Sequence, residues 1–280
     1  MYYVSADSFS KVYCTLLKTV FETKSNTIAP RGLITREITD VCCEITNPYS
    51  NLFTNQIRSV SLEYLCGELI WYCSGANDLD FISKYSKFWC HLANENQTAN
   101  SAYGKILFKD KNMNGMTQWE WATKTLIQDV HTRQAILSFN VQDCQRENNA
   151  DFVCSMYLQF FIRENKLMLM AYMRSQDMIY GMTYDIPFFL LLLQCMRLQL
   201  LRHYPELKLG SYSHHVGSLH IYENKFALVK NMLAHPFCEN EMPRISNNII
   251  LHNDVLTMYR NKRYVGNDEF YNWLSRNAFK

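Results

Sequence analysis

The sequence predicts a protein of the α+β class. Helix-like and strand-like segments are mixed along the chain, without the regular alternation of a doubly wound parallel sheet. The 280 residues include 16 Phe and 18 Tyr, and 48% of the residues are hydrophobic, which favours a well-packed core over a disordered chain. A chain of this length is enough for one large domain, or at most two.

Composition and charge exclude several classes of function. The net charge of +2 indicates no general affinity for polyanions, so we expect no direct contact with nucleic acid. The ten cysteines lack the C-x-x-C spacing of zinc and thioredoxin-type sites, and the first residues do not resemble a signal peptide. We therefore expect free thiols in a reducing cytoplasm. The longest apolar run, residues 187–193, is too short to span a bilayer, so no membrane contact is expected.

Helices are predicted where apolar residues recur at intervals of three and four. In the first such segment, residues 7–22, this spacing places Phe9, Val12 and Leu16 on one face. The same spacing, or a longer apolar run, predicts the further helices over residues 55–73, 79–88, 119–130, 186–202 and 223–233. Asp185, directly before an Ile-Pro pair, has the sequence of a helix N-cap.

Strands are predicted over residues 33–45, 135–141 and 207–222, where apolar residues follow the period of a strand. Two further apolar runs, 156–162 and 167–173, flank a short polar turn and predict a β-hairpin.

The predicted hairpin defines the first candidate site. Folding it about its polar turn places Cys154 opposite about residue 175, beside Arg174 and Ser175. A thiol, a guanidinium and a hydroxyl in one place suit an anionic electrophile.

Several other polar or aromatic residues have an ordinary structural interpretation when each is taken alone. Glu68 lies next to the apolar face of its helix, where a solvated charge is expected. Trp89 follows a helix, and a tryptophan in that position is expected to lie in the core. His220 and Tyr222 are expected to be ordinary residues of a strand.

Five short motifs follow one another along the chain and together resemble the thymidylate synthase family, over residues 7–233. They are Glu68-Leu-Ile-Trp71-Tyr72-x2-Gly75, Tyr103-Gly104-Lys105, Cys154-x4-Gln159, Arg174-Ser175-x-Asp177-x3-Gly181-x3-Asp185 and Gly217-x-x-His220-Ile221-Tyr222. The corresponding family motifs are E-L-L-W-F-x2-G, Y-G-K, the nucleophile strand, R-S-x-D-x3-G-x3-N and G-D-x-H-I-Y. Motifs in this order and spacing are far more specific than any one of them alone.

Three departures from these motifs resemble one branch of the family, the bacteriophage deoxycytidylate hydroxymethylases. The family has Pro-Cys-His at the nucleophile, where this chain has Val153-Cys154-Ser155. It has Asn where this chain has Asp185, and Asp where this chain has Ser218.

The resemblance implies a fold and an assembly. We expect a thymidylate synthase-like α+β domain over residues 1–280, with a large mixed β-sheet covered by helices; the tail from about residue 234 lies outside the resemblance. We also expect a homodimer through back-to-back sheets, with Arg133 reaching the partner site. The family has two adjacent arginines there, and the other falls at Thr132.

The resemblance also implies a reaction. A one-carbon unit from the co-substrate 5,10-methylenetetrahydrofolate would be transferred to carbon 5 of dCMP, and water would then give 5-hydroxymethyl-dCMP. Cys154, as a thiolate, would first add to carbon 6 of the pyrimidine. No metal is expected.

The change to Asp185 has a physical reason. Uracil presents a carbonyl acceptor and an imide N–H donor, which an amide side chain matches. Cytosine presents an amino donor and a ring nitrogen that is protonated during addition, which a carboxylate acceptor suits better.

The other site residues take their roles from the family. The resemblance assigns Glu68, Tyr103 and Asp177 to catalysis, together with Cys154, and Trp89 and Asp177 to the folate. The residues it assigns to the nucleotide are Arg31, Arg133, Gln159, Arg174, Ser175, Gly181, Asp185, His220 and Tyr222.

Four alternatives stay open at this point. Hydride in place of water as the final acceptor would make the protein a dCMP 5-methyltransferase, and dUMP as substrate would make it a thymidylate synthase. A non-catalytic nucleotide-binding homologue is a third possibility. A cysteine hydrolase using Cys154 and His220 is the weakest, because no spacing places the two together.

Overall fold

A computed structural model describes residues 1–23, 27–93, 96–140, 145–147 and 149–280. The chain divides into two compact units. The first unit consists of residues 1–60, 166–193 and 208–242, and the second of residues 61–165, 194–207 and 243–280.

Helices and strands are mixed along the described chain, in agreement with the predicted α+β class. The strands are β1 Tyr2–Ala6, β2 Thr27–Ile28, β3 Thr35–Ile45, β4 Leu52–Asn55, β5 Ile136–Ser138, β6 Ser155–Arg163, β7 Lys166–Asp177, β8 Lys208–Tyr222 and β9 Phe237–Asn240. The helices are α1 Phe9–Glu22, α2 Leu62–Cys73, α3 Leu79–Ile82, α4 Tyr103–Phe108, α5 Gln118–Gln128, α6 Met182–Leu200, α7 Phe226–Leu233, α8 Asn253–Asn261 and α9 Glu269–Ala278.

The first unit is built on a mixed sheet. β1 pairs with β3 in parallel, β3 pairs with β8 antiparallel, β8 pairs with β7 in parallel, and the short β2 adds to β3. Outside this sheet, β4 and β9 form an antiparallel pair. The large mixed sheet expected from the resemblance is therefore present.

Helix α1 links the core of the first unit to the end of β7. Ser8 caps its N-terminus, and its apolar face is fully buried, as predicted. On that face, the Tyr13 ring stacks on Phe53 with a centroid distance of 4.5 Å. The Tyr13 hydroxyl donates to the backbone oxygen of Met178 at 2.9 Å, directly after the last residue of β7.

The second unit is mainly helical, and α2 packs against α4, α8 and α9. Where α2 meets α4, the Tyr103 ring stacks on Tyr72 at a centroid distance of 5.1 Å. A Cβ added at Gly104 would lie 1.8 Å from the backbone oxygen of Tyr72, so only glycine allows this approach. Within this unit, β5 pairs with β6 antiparallel.

The largest departures from the predicted limits are found in three helices. The helix expected over 55–73 begins only at Leu62, because Leu52–Asn55 pairs with β9 and Ser61 provides the N-cap. The segment expected over 79–88 divides into α3 and a 3-10 helix at Lys87–Leu92.

In the third of these helices, Asp185 has a different structural position from the predicted one. Helix α6 begins at Met182, so the N-cap prediction for Asp185 was wrong and this residue lies in the first helical turn. The start is shifted because Tyr184 and Asp185 already donate helical hydrogen bonds to the Gly181 oxygen.

The strand predictions are confirmed in position and adjusted in length. The polar turn of the predicted hairpin is formed by Glu164 and Asn165, with φ of 49° and 57°, values typical of a two-residue hairpin turn. The strand expected over 135–141 is limited to β5, and Val141 lies outside the described residues. The polar tail contains β9, α8 and α9, which sequence periodicity did not predict.

We predict that Gly104→Ala destabilises the protein by about 3 kcal/mol or more, because the new Cβ overlaps a backbone atom that no rotamer change can move. Urea unfolding measures the change. Gly115→Ala is the control: Gly115 has a φ of 73° and open space around it, so only backbone strain of about 1 kcal/mol is expected. Equal losses in the two variants would contradict the assigned cause.

Candidate active site

The signature residues of the first unit lie where two parallel strands end. In the register of β7 and β8, Ser175 is opposite Ser218 and Asp177 is opposite His220. Parallel strands bring their carboxyl ends to the same edge of the sheet, so this register brings the Arg174–Asp177 segment next to the predicted sugar-binding residues. Arg174, which is predicted to contact the phosphate, is exposed.

Asp177 is fixed by the turn that follows β7. One carboxylate oxygen, Oδ1, accepts hydrogen bonds from the backbone N–H groups of Ile179 at 2.5 Å and Tyr180 at 3.0 Å. Next to it, the backbone N–H of Met178 donates to the oxygen of His220 at 3.0 Å. Such a turn fixes the direction of the carboxylate and leaves its second oxygen for another donor.

Asp185 lies one turn into α6 and has an altered acidity. Its Oδ2 accepts a hydrogen bond from Nε2 of Gln176 at 2.8 Å. Protein atoms surround the carboxyl densely, although the residue keeps some accessible surface. This desolvation raises the pKa of Asp185 to about 6, and the Gln176 hydrogen bond opposes the rise.

His220 and Tyr222 lie at the end of β8, half-buried, with their rings edge to face at a centroid distance of 5.1 Å. The neighbouring Ser218 hydroxyl donates to the carboxylate of Glu37 on β3. The sequence argument did not consider Glu37, because only the pairing of β3 with β8 brings it to this position.

Arg31 lies elsewhere in the first unit, on an exposed turn. Its φ of 54° is in the left-handed region, which is uncommon for a residue with a side chain. Such conformations are found more often where a side chain has a functional task, which favours the predicted anion contact.

In the second unit, Glu68 is buried rather than solvated, so the expectation from helix periodicity alone was wrong. The Tyr64 hydroxyl donates to Oε1 of Glu68 at 2.7 Å. The indole N–H of Trp89 donates to the Tyr64 oxygen at 3.0 Å. The indole N–H can only donate, so the Tyr64 oxygen is the acceptor of that bond, and the Tyr64 hydroxyl in turn donates to Glu68.

Trp89 is buried, as expected of a core residue, and its ring packs against Trp71 at a centroid distance of 5.0 Å. Tyr64 was missed by the sequence argument. It lies one helical turn before Glu68, and that i, i+4 spacing was the available signal.

Cys154 precedes β6 in a segment that two buried hydrogen-bonded pairs hold in place. The Ser155 hydroxyl donates to the Tyr103 oxygen at 2.8 Å. The Asp151 carboxylate accepts from the N–H and the hydroxyl of Ser101, at 2.8 and 3.0 Å. Burial raises the pKa of Asp151, and the bonds from Ser101 oppose this rise. Thus Tyr103 and Cys154 are joined through Ser155, whose role the sequence argument did not include.

Gln159 and Arg133 also come together in the second unit. The Gln159 side chain donates to the backbone oxygen of Arg133 at 3.0 Å. Arg133 is exposed, whereas Thr132, in the position of the second family arginine, is buried. A single arginine is therefore presented to solvent at this place.

Two searches of the described residues bear on cofactors and membranes. Among these residues, no three His, Cys, Asp or Glu side chains come together as a possible metal site. None of the helices in the described ranges has both the length and the apolar character needed to cross a bilayer.

Comparison with known proteins finds a matching family model and several relatives. The family model described as thymidylate synthase matches residues 11–261. The chain is 28% identical over 233 residues to the deoxyuridylate hydroxymethyltransferase of Bacillus phage SP01, covering 79% of this chain and 59% of that protein. It is 29% identical over 174 residues to the deoxycytidylate 5-hydroxymethyltransferase of Enterobacteria phage T6, covering 60% of this chain and 70% of that protein.

The fold has a solved counterpart. The chain is similar to the thermostable thymidylate synthase A of Bacillus subtilis, with a TM-score of 0.65 and 20% identity, covering 81% of this chain and 84% of that one. The match extends the similarity from short motifs to the architecture.

We predict that Tyr64→Phe destabilises the protein by about 1–3 kcal/mol, because it leaves the buried Trp89 N–H without an acceptor and removes a donor to Glu68. Urea unfolding measures the loss. Tyr85→Phe is the matched control, since this half-buried tyrosine of the same unit packs on Phe81 through its ring. A Tyr64→Phe variant as stable as Tyr85→Phe would mean that the series of hydrogen bonds contributes nothing.

We predict that Asp185→Asn stabilises the protein above pH 6. In the folded protein the pKa of Asp185, about 6, lies above its ordinary value of 3.8, so the folded state favours the protonated form. The stability from that proton is complete below pH 4 and is lost as pH rises through 6, by about 2–3 kcal/mol. The difference in unfolding free energy between variant and wild type should therefore grow from pH 4 to pH 7, and a constant difference would contradict the shift.

Proposed function

The chain belongs to the thymidylate synthase family, and from this premise we propose that it transfers a one-carbon unit to carbon 5 of dCMP, with water completing the reaction to 5-hydroxymethyl-dCMP. The co-substrate 5,10-methylenetetrahydrofolate supplies the one-carbon unit.

The environment of Asp185 is the observation that carries this proposal. With a pKa of about 6, the carboxyl is mostly ionised at pH 7.5 and then only accepts hydrogen bonds. One of its oxygens is already bonded to Gln176, and its remaining surface is accessible. A 4-amino pyrimidine offers donors to such a group, whereas the 4-carbonyl of uracil offers another acceptor. Similarity to phage deoxycytidylate 5-hydroxymethyltransferases supports the same substrate.

Catalysis is assigned to Cys154, whose thiolate adds to carbon 6 of the pyrimidine and makes carbon 5 nucleophilic. The hydrogen bonds of Asp151 and Ser155 hold the segment around this cysteine. Glu68 and Tyr103 take the roles of proton carriers near the base, and their hydrogen bonds to Tyr64 and Ser155 favour fixed orientations.

The nucleotide contacts divide into phosphate, base and sugar contacts. Arg31, Arg133, Arg174 and Ser175 suit the phosphate, because guanidinium groups bind such oxygens in pairs. His220 and Tyr222 suit the sugar hydroxyl. The remaining members of the predicted set, on the base side, are Gln159, Gly181 and Asp185.

The folate is assigned to Asp177 and Trp89. The second oxygen of the Asp177 carboxylate suits an N–H donor of the pterin ring, while Oδ1 is held by two backbone amides. The ring of Trp89 is largely buried, and its N–H is committed to Tyr64, so it can offer the folate only the edge or face of its indole.

A homodimer through back-to-back sheets is part of the proposal. Burial alternates along β7 and β8, and one face presents the half-buried side chains of Met170, Tyr172 and His215, with Tyr172 stacked on His215 at 4.6 Å. Such a face suits packing against a second sheet, and the exposed Arg133 would contact the partner's nucleotide. We place the reaction in the cytoplasm, where the nucleotide pool is found.

A second candidate reaction is hydroxymethylation of dUMP, which the similarity to the SP01 protein favours. It requires Asp185 to donate rather than accept, because the 4-position of uracil is a carbonyl. Only the protonated carboxyl can donate, so this reaction would be favoured below pH 6.

The deciding experiment is incubation with 5,10-methylenetetrahydrofolate and either dCMP or dUMP at pH 7.5, with the nucleotide product weighed by mass spectrometry. We expect a hydroxymethyl product from dCMP, with tetrahydrofolate released. Methyl-dCMP with dihydrofolate would instead make the protein a methyltransferase, and turnover of dUMP alone would contradict the interpretation of Asp185.

Cys154→Ser provides the matched control for this experiment. It removes the thiol and changes little else, so turnover should be lost while dCMP still binds. Turnover that survives this change would contradict the covalent mechanism. Absence of turnover in the wild type, with nucleotide still bound, would favour a non-catalytic homologue.

A further inference from the structure

Gln176 has an unusual hydrogen-bonding state beside the proposed base-reading residue. It lies between Ser175 and Asp177 and is 2% exposed. Its Nε2 donates to Oδ2 of Asp185 at 2.8 Å. Its other polar atom, Oε1, is buried without a hydrogen-bond partner in the described part of the chain.

The orientation of this amide follows from its partner. An ionised carboxylate only accepts, so the NH2 end of Gln176 must face Asp185 and the carbonyl end is left over. A buried acceptor without a donor is costly and uncommon, and it indicates a donor that arrives from elsewhere. Water or the donor group of a ligand could fill that place.

Gly181 provides the space that the amide occupies. A Cβ added at Gly181 would lie 2.6 Å from Nε2 of Gln176 and 3.1 Å from the backbone oxygen of Asp177. Any side chain at position 181 would therefore displace the amide or the turn. The glycine of the signature motif and Gln176 thus form one structural arrangement around Asp185.

We propose that Gln176 determines the choice of base: its N–H holds the Asp185 carboxylate, and its unpartnered carbonyl and that carboxylate together accept from the amino group of a 4-amino pyrimidine nucleotide. The exocyclic amine carries two N–H groups, which two acceptors can satisfy. A 4-carbonyl in the same position would meet two acceptors and be repelled. This inference rests on the proposed function, since it requires dCMP as the preferred substrate.

The test is Gln176→Met, which keeps the length of the side chain and removes both polar atoms. We would measure kcat/KM for dCMP and for dUMP, each with 5,10-methylenetetrahydrofolate, and the Kd of each nucleotide by calorimetry. We expect kcat/KM for dCMP to fall by roughly tenfold to a hundredfold, as for a lost hydrogen bond to a charged group. The kcat/KM for dUMP should stay the same or rise, so the ratio of kcat/KM for dCMP to kcat/KM for dUMP falls.

Two further variants keep the test decisive. Gly181→Ala leaves Gln176 chemically intact and displaces its amide, so it should lower the same ratio even if Gln176→Met fails to fold. Gln194→Met is the matched control: it changes a second buried glutamine, which lies on α6 rather than on β7, and should leave the ratio unchanged.

The outcomes separate this inference from the proposed function. Wild-type protein that does not prefer dCMP contradicts the proposed function, and that result involves no variant. If the wild type prefers dCMP and the Gln176→Met and Gln194→Met variants have the same selectivity ratio, the role of Gln176 is overturned and the proposed function stands. Equal losses for dCMP and dUMP would also overturn it, because they would indicate a purely structural role.

Discussion

The parallel register of β7 and β8 is the constraint that positions the candidate nucleotide-binding residues of the first unit. It sets Ser175 beside Ser218 and Asp177 beside His220 at one edge of the sheet. The chain leaving β7 must then turn at once, and the hydrogen bonds to Met178 from Tyr13 and to the His220 oxygen fix that turn. Helix α6 consequently starts at a fixed position, and Asp185 reaches back to the strand it follows.

Buried polar groups in the second unit have their directions determined by simple donor and acceptor rules. Trp89 can only donate, so Tyr64 accepts from it, and the Tyr64 hydroxyl donates to Glu68. Asp151 accepts both donors of Ser101, which holds the segment before Cys154. Rigid orientation of this kind is what proton transfer at a base requires.

A shifted pKa does not by itself mark a residue of the candidate active site. Burial lowers the pKa of His214 to about 3, so this histidine is neutral at physiological pH and serves as a hydrogen-bond partner for the Tyr212 hydroxyl at 2.6 Å. Asp185 differs because it keeps accessible surface. Overall sequence similarity does not decide the substrate of the protein, since relatives named for deoxyuridylate and deoxycytidylate are 28% and 29% identical to the chain. The choice of base must therefore depend on a few local side chains, where a buried unpaired group has a large effect.

The sequence by itself determined the α+β class, the two strands and turn around residues 163–166, and the family to which the chain belongs, because periodicity and motif spacing are local properties. It also located the candidate residues, most of which lie on strand ends and helix starts. Only the tertiary structure decided that Glu68 is buried, that Asp185 lies inside α6, and that Tyr64, Ser155 and Gln176 contact the candidate residues. The physical reason is that burial and side-chain hydrogen bonds depend on which elements pack together, and pairing of residues far apart in the chain leaves no periodic signal in either segment.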